Sequence, residues 1–96
     1  PFRYTERAET FQTDISGIRK LISALERVQS ATEIILVAGT LDEDDDRGRR
    51  ESRIDAMDRI RGARDIMRGL ETPTSSGVVN DVIDFTNHLE SAADDL

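Results

Sequence analysis

The sequence predicts an all-α protein in which a long helical hairpin and a third helix form a three-helix arrangement that is completed by oligomerisation. Apolar residues recur three and four positions apart in three separate segments, which is typical of amphipathic helices. Polar or Ser/Thr/Gly/Pro-rich stretches separate these segments. The first segment is longer than either of the others, so one chain cannot cover all of it.

The first helix is predicted over residues 5–38, with Thr5 as its N-cap and Gly39 as its end. Two apolar series share it. At 100° per residue they point about 140° apart, so the two ends of the helix should have different neighbours. The first series comprises Tyr4, Ala8, Phe11, Ile15, Ile18, Ile22 and Leu25; the second comprises Leu21, Ala24, Val28, Ala31, Ile35 and Ala38.

Small residues recur every seven positions along one edge of this helix, at Gly17, Ala24, Ala31 and Ala38. They either allow a second helix to approach closely or reflect the ordinary preference of alanine for helices. The run from Ile34 to Ala38 is apolar on all sides, as in a buried helix end, although a short buried β-strand is an alternative interpretation.

A polar connection is predicted over residues 40–50, followed by the second helix over 50–69. Thr40 and Glu43 have the spacing of a capping box. Acidic residues precede the arginines in this stretch, an order that suits either a polar loop or a protruding first turn of the second helix, and Gly48 weakens the helical version. A linker over 71–77 and a third helix over 76–93 complete a single predicted domain, 1–96.

The predicted hairpin leaves one surface uncovered. Folding back near Thr40 lays the polar stretch 42–53 beside the apolar end of the first helix, and polar side chains cannot cover it. Either the third helix covers it, with Val79 and Ile83 as part of the cover, or another chain does; we favour the second and expect a partner or oligomer interface there. Its predicted residues are Val28, Ala31, Ile34, Ile35, Leu36, Val37 and Ala38.

The composition limits the classes of partner. A formal charge of -7 disfavours general attraction to nucleic acids and anionic membranes. The chain has no cysteine, shows no signal-peptide pattern and has no apolar run long enough to span a membrane, so we expect a cytoplasmic protein.

Eight arginines between Arg47 and Arg68 suggest an alternative, a nucleic-acid-associated regulator. Most of them have an acidic residue three or four positions away and are expected to form local ion pairs. Arg53 and Arg64 do not, so they are the candidate polyanion contacts.

The sequence contains no recognisable catalytic, cofactor or metal signature. The acidic run from Asp42 lacks the ligand pattern of a calcium loop. Asp81, Asp84 and His88 share a helical face, but they have no facing ligands from another helix and are expected to be exposed. The predicted function is therefore that of a non-catalytic, acidic helical interaction module. Such a module binds a second copy of itself or a larger assembly through apolar helix faces. It could be an adaptor, a chaperone-like or regulatory subunit, or a component of a larger assembly.

Overall fold

The computed structural model describes residues 2–70 and 76–96, and the predicted linker 71–77 lies largely outside them. The described residues form three α-helices: α1 (Phe2–Ala38), α2 (Asp46–Arg68) and α3 (Ser76–Asp94). They contain no β-strand, so the all-α prediction is confirmed and the strand interpretation of residues 34–38 is wrong. A strand there would have interrupted a helix whose other positions already favour helical packing.

Helix α1 has 37 residues, which corresponds to about 55 Å, whereas α2 has 23 and α3 has 19. It begins at Phe2, so the predicted start after Thr5 is wrong. It ends at Ala38, where the backbone closes into a turn through Thr40 N–H and Leu41 N–H donating to the carbonyls of Val37 and Ala38. The Thr40 hydroxyl also donates to Val37 O at 2.7 Å.

Helix α2 begins at Asp46, earlier than the predicted residue 50, and the capping box at Thr40 is wrong. The N-cap is Asp45, whose carboxylate accepts a hydrogen bond from Gly48 N–H at 2.8 Å. This acceptor satisfies one of the free N–H groups of the first turn, and Asp46 in the same turn favours the positive end of the helix dipole. Residues 42–45 of the acidic stretch therefore form a polar loop, and the helical interpretation is correct only from Asp46 onward.

Replacing Asp45 by alanine should lower the free energy of unfolding by about 1 kcal/mol, because Gly48 N–H loses its acceptor. Asp45→Asn provides the matched control, since the amide oxygen can accept the same bond and the variant should retain most of that stability. Urea unfolding followed by circular dichroism measures both variants. Equal loss in the two would show that the carboxylate acts through its charge rather than as a cap.

The second apolar series of α1 faces α2, and the two helices meet along rows of small residues. Ala24, Ala31 and Ala38 are at most 2% exposed, as are Ala56 and Ala63 of α2. Small side chains allow two helix backbones to approach closely. The three alanines that recur every seven positions in α1 therefore lie in the contact between the two helices of the hairpin, which we call the seam.

Helix α3 closes the core on one side of the hairpin. Leu89 joins a buried cluster with Val28, Ile60 and Met67, while the apolar side chains of Val79, Val82 and Ile83 pack against its edge. The third helix was predicted to end at residue 93 and ends at Asp94. The core therefore draws on all three helices, but most of the buried apolar positions among the described residues are alanines.

The molecule is a rod of 67 × 17 × 16 Å, with a Cα radius of gyration of 17.4 Å. A compact domain of this length has a radius of gyration of about 12.5 Å. The difference arises because α1 is much longer than its partners. Every side chain described in α1 before Ile15 is exposed, so the N-terminal part of α1 projects beyond the bundle.

Candidate interaction surface

The predicted interface at residues 28–38 is only partly exposed. Leu36 and Val37 are 67% and 64% exposed, and Ile34 is half-buried. The side chains of Val28, Ala31 and Ala38 are buried, so the prediction that they form an uncovered surface is wrong.

Contacts with α2 and α3 account for the burial of Val28 and Ala31. Val28 and Ala31 contact the cluster formed by Ile60, Ala63 and Leu89, and Ile35 packs against the same cluster. The sequence predicted that the polar stretch 42–53 would lie beside residues 28–38. Instead, the apolar face of α2 that contains Ile60 and Ala63 packs against Val28 and Ala31. Ile35 therefore belongs mainly to the intrachain core, and an Ile35→Asp substitution would disturb the fold as well as any interface.

Besides Leu36 and Val37, the large exposed apolar residues of α1 belong to its first series. Ile18, Ile22 and Leu25 are 55%, 50% and 42% exposed. Together with half-buried Ile15 and with Leu36 further along the helix, we call them the apolar stripe. The sequence showed this series as the most regular pattern in the chain, but the prediction placed the interface on the other series.

The apolar stripe is a narrow line along the helix. At 100° per residue its members fall within about 80° of one another, and they lie on a different side of α1 from the alanine row that faces α2. Gln29 and Thr32 interrupt the line between Leu25 and Leu36, and the Thr32 hydroxyl is bonded to Val28 O at 2.9 Å. The charged residues Arg19 and Glu26 flank the stripe and are exposed.

The surface area of the whole chain agrees with incomplete burial. The chain exposes 7053 Å². A compact monomer of 10.8 kDa exposes about 5,500 Å². The excess, about 1,500 Å², exceeds the roughly 800 Å² that each partner buries in a standard protein interface.

Arg64, one of the two predicted polyanion contacts, is engaged within the chain. Its Nε donates to Thr86 Oγ1 at 3.1 Å, one terminal nitrogen donates to Asn87 Oδ1 at 2.5 Å, and that nitrogen also pairs with Glu90. The side chain is 16% exposed, and Thr86 is fully buried. The prediction that Arg64 contacts a polyanion is wrong. No acidic residue of α2 lies three or four positions from Arg64, but Glu90 of α3 pairs with it.

Arg53 is exposed and lines a shallow cavity of about 250 Å³ with Arg49, Arg50 and Asp46 at the start of α2. Arg49 is already held by the carbonyl oxygens of Asp42 and Glu43 and by the Asp46 carboxylate, the latter at 2.8 Å. Only Arg50 and Arg53 of this cluster therefore keep guanidinium groups without a described hydrogen-bond acceptor.

Local ion pairing of the arginines is confirmed at two further positions. Arg59 pairs with Asp55 at 2.5 Å and Arg47 with Glu51 at 3.1 Å, both four residues apart on α2. Such pairs on an exposed helix each contribute about 0.3–0.5 kcal/mol. They reduce the cationic surface that a phosphate backbone would contact.

Asp81, Asp84 and His88 are all exposed on α3. Within residues 2–70 and 76–96, no three His, Cys, Asp or Glu side chains are grouped so that they could hold a metal ion. The same residues include no helix that is both long enough and apolar enough to cross a bilayer.

Comparison with known proteins adds no assignment to these observations: no protein-family model, no curated protein and no solved structure matches the chain.

Proposed function

We propose that this protein is a non-catalytic helical interaction module that self-associates through the apolar stripe of α1. The observation that carries the proposal is the exposure of Ile18, Ile22 and Leu25 in a continuous line along α1. This helix is longer than either helix that packs against it. Monomeric proteins rarely leave a contiguous apolar patch uncovered unless it contacts a partner. Self-association covers such a stripe with an identical stripe.

The excess of exposed area supports this proposal, since it is large enough to supply one side of a standard interface. The small buried core supports it as well, because the alanine-rich seam contributes little apolar area per residue and association adds stability by mass action. The role of the module would be adaptor-like or that of a component of a larger assembly. We do not propose nucleic-acid binding, because Arg64 is engaged by Glu90 and Asn87.

Replacing Ile22 by aspartate should convert the self-associated protein into a monomer, with at least a hundredfold loss of affinity. The carboxylate would be placed in the middle of a desolvated seam without a hydrogen-bonding partner. Sedimentation equilibrium over a range of concentrations gives the affinity, and circular dichroism checks that the helical content is retained.

Ile54→Asp is the matched control. Ile54 is 62% exposed on α2, so the same substitution adds the same charge at an equally accessible isoleucine away from the stripe. It should leave association unchanged. A wild-type protein that stays monomeric at high concentration, or an Ile22→Asp protein that associates normally, would refute the proposed function.

A further inference from the structure

We infer that the second copy docks in a groove between α1 and α3, with the apolar stripe as one wall and the exposed apolar side chains of α3 as the other. The occupant of the groove is α1 of the second copy. This inference rests on the proposed function and extends its contact surface from one helix to two. It is carried by Val78 and Phe85 and by the side of α3 on which they lie.

Helix α3 leaves two large apolar side chains exposed. Val78 is 50% exposed and Phe85 is 46% exposed. They are seven residues apart, and half-buried Ala92 follows after seven more. Residues at this spacing differ by only about 20° per step around a helix, so the three form one line along α3. We call this line the α3 edge.

The α3 edge lies on the side of α3 that is turned away from α2. On the α2 side, Arg64 donates to Thr86 and pairs with Glu90. At 100° per residue, Thr86 and Glu90 lie about 60° and 100° to one side of Leu89, which faces the core. Phe85 lies about 40° to the other side of Leu89. The α3 edge is therefore next to α1.

The apolar stripe lies on the corresponding side of α1. Ala24 is buried in the seam with α2, and Val28 belongs to the core cluster that includes Leu89. Leu25 lies about 60° from Val28, in the direction away from Ala24. The apolar stripe and the α3 edge therefore border the same groove, on the outer side of the contact between α1 and α3.

The two walls of the groove also lie side by side along the bundle. Helix α2 runs antiparallel to α1 across a short turn, and the end of α3 at Leu96 lies near the start of α2, so α1 and α3 are parallel. Because Leu89 packs in the same cluster as Val28, residues that precede them by equal numbers lie level with each other. The α3 edge therefore lies beside the part of the stripe between Ile18 and Leu25.

A helix that packs on the stripe reaches the α3 edge as well. Packed helices lie about 8–10 Å apart, so a helix seated on Leu25 also comes within contact distance of Phe85. The partly exposed aliphatic side chains of the stripe supply only part of the roughly 800 Å² that each partner buries in a standard interface. The α3 edge adds apolar area on the same side, including an aromatic ring of the kind enriched in interfaces. One occupant, α1 of the second copy, therefore covers both walls.

Replacing Phe85 by aspartate should weaken self-association about tenfold or more, because the change removes the largest side chain of the α3 edge and places a carboxylate in the groove. Asn80→Asp is the matched control. Asn80 is exposed on the side of α3 opposite Leu89, so the same charge is added away from the groove. Its association should stay within about threefold of the wild type.

Sedimentation equilibrium measures both variants, and circular dichroism checks that they remain helical. A wild-type protein that stays monomeric would overturn the proposed function. A dimer that Ile22→Asp dissociates, but that Phe85→Asp leaves at the affinity of the wild type, would overturn only the groove.

A nitroxide label on α3 gives a second readout that does not depend on the Phe85 variant. The chain has no cysteine, so Asp81→Cys carries a single label at an exposed position beside the α3 edge. In a mixture with ¹⁵N-enriched wild-type copies, this label should broaden amide signals of α1 in the second copy more strongly than a label at Asn80→Cys does. Equal broadening by the two labels in a dimer would overturn the groove and leave the proposed function standing.

Discussion

Replacing Ile60 by alanine should lower the free energy of unfolding by about 2–5 kcal/mol. Ile60 is fully buried and is one of the largest side chains in a core that otherwise consists mostly of alanine. Its loss removes apolar contacts and leaves a cavity that neighbouring alanines are too short to fill. Native domains are stable by about 5–15 kcal/mol, so the change removes a large part of the total.

Ile54→Ala is the matched control for this prediction, because Ile54 lies on the same helix and is 62% exposed. It should change stability by no more than about 0.5 kcal/mol, with the gain in helix propensity offsetting the small loss of burial. Urea unfolding followed by circular dichroism, at protein concentrations below the range of association, measures both. Similar losses in the two variants would contradict the observed core.

Enlarging Ala31 to leucine should destabilise the hairpin by about 1–3 kcal/mol or more. Ala31 is completely buried in the seam between α1 and α2, where Ala24, Ala56 and Ala63 are also fully buried. Three additional carbon atoms require the helices to separate or other side chains to leave their preferred rotamers. Since leucine and alanine have similar helix propensities, the effect reports packing.

Ala8→Leu places the same enlargement at an exposed position of the same helix and should leave the unfolding midpoint nearly unchanged. Thermal and urea unfolding of both variants measure the difference. An Ala31→Leu protein as stable as the wild type would show that the seam is loose enough to accept a larger side chain and that small residues are not needed there.

Local features of the structure were largely predictable. Apolar spacing predicted three helices and the angle between the two apolar faces of α1, because periodicity depends only on helix geometry. The start of α2 was not predicted, because Thr40 and Glu43 match the capping pattern as well as the stretch that contains Asp45 does. Only the structure shows that the Thr40 hydroxyl donates to Val37 O in the turn after α1, while the Asp45 carboxylate accepts from Gly48 N–H.

The sequence did not predict which apolar face of α1 is exposed. The sequence indicated that an apolar face of α1 would lack a partner, yet the predicted interface included Val28 and Ala31, which the structure buries. The more regular series, with Ile18 and Ile22, is the one left exposed. Both faces have the same three-four spacing, so periodicity alone could not distinguish them.

The sequence by itself determined that the chain is helical, that α1 is the longest helix and that it has two apolar faces, because these properties depend on residue spacing within one segment. Only the tertiary structure decided which face is buried and which acid meets Arg64, because both depend on residues far apart in the chain. Glu90 lies on another helix from Arg64, and their pairing requires α3 to pack beside α2.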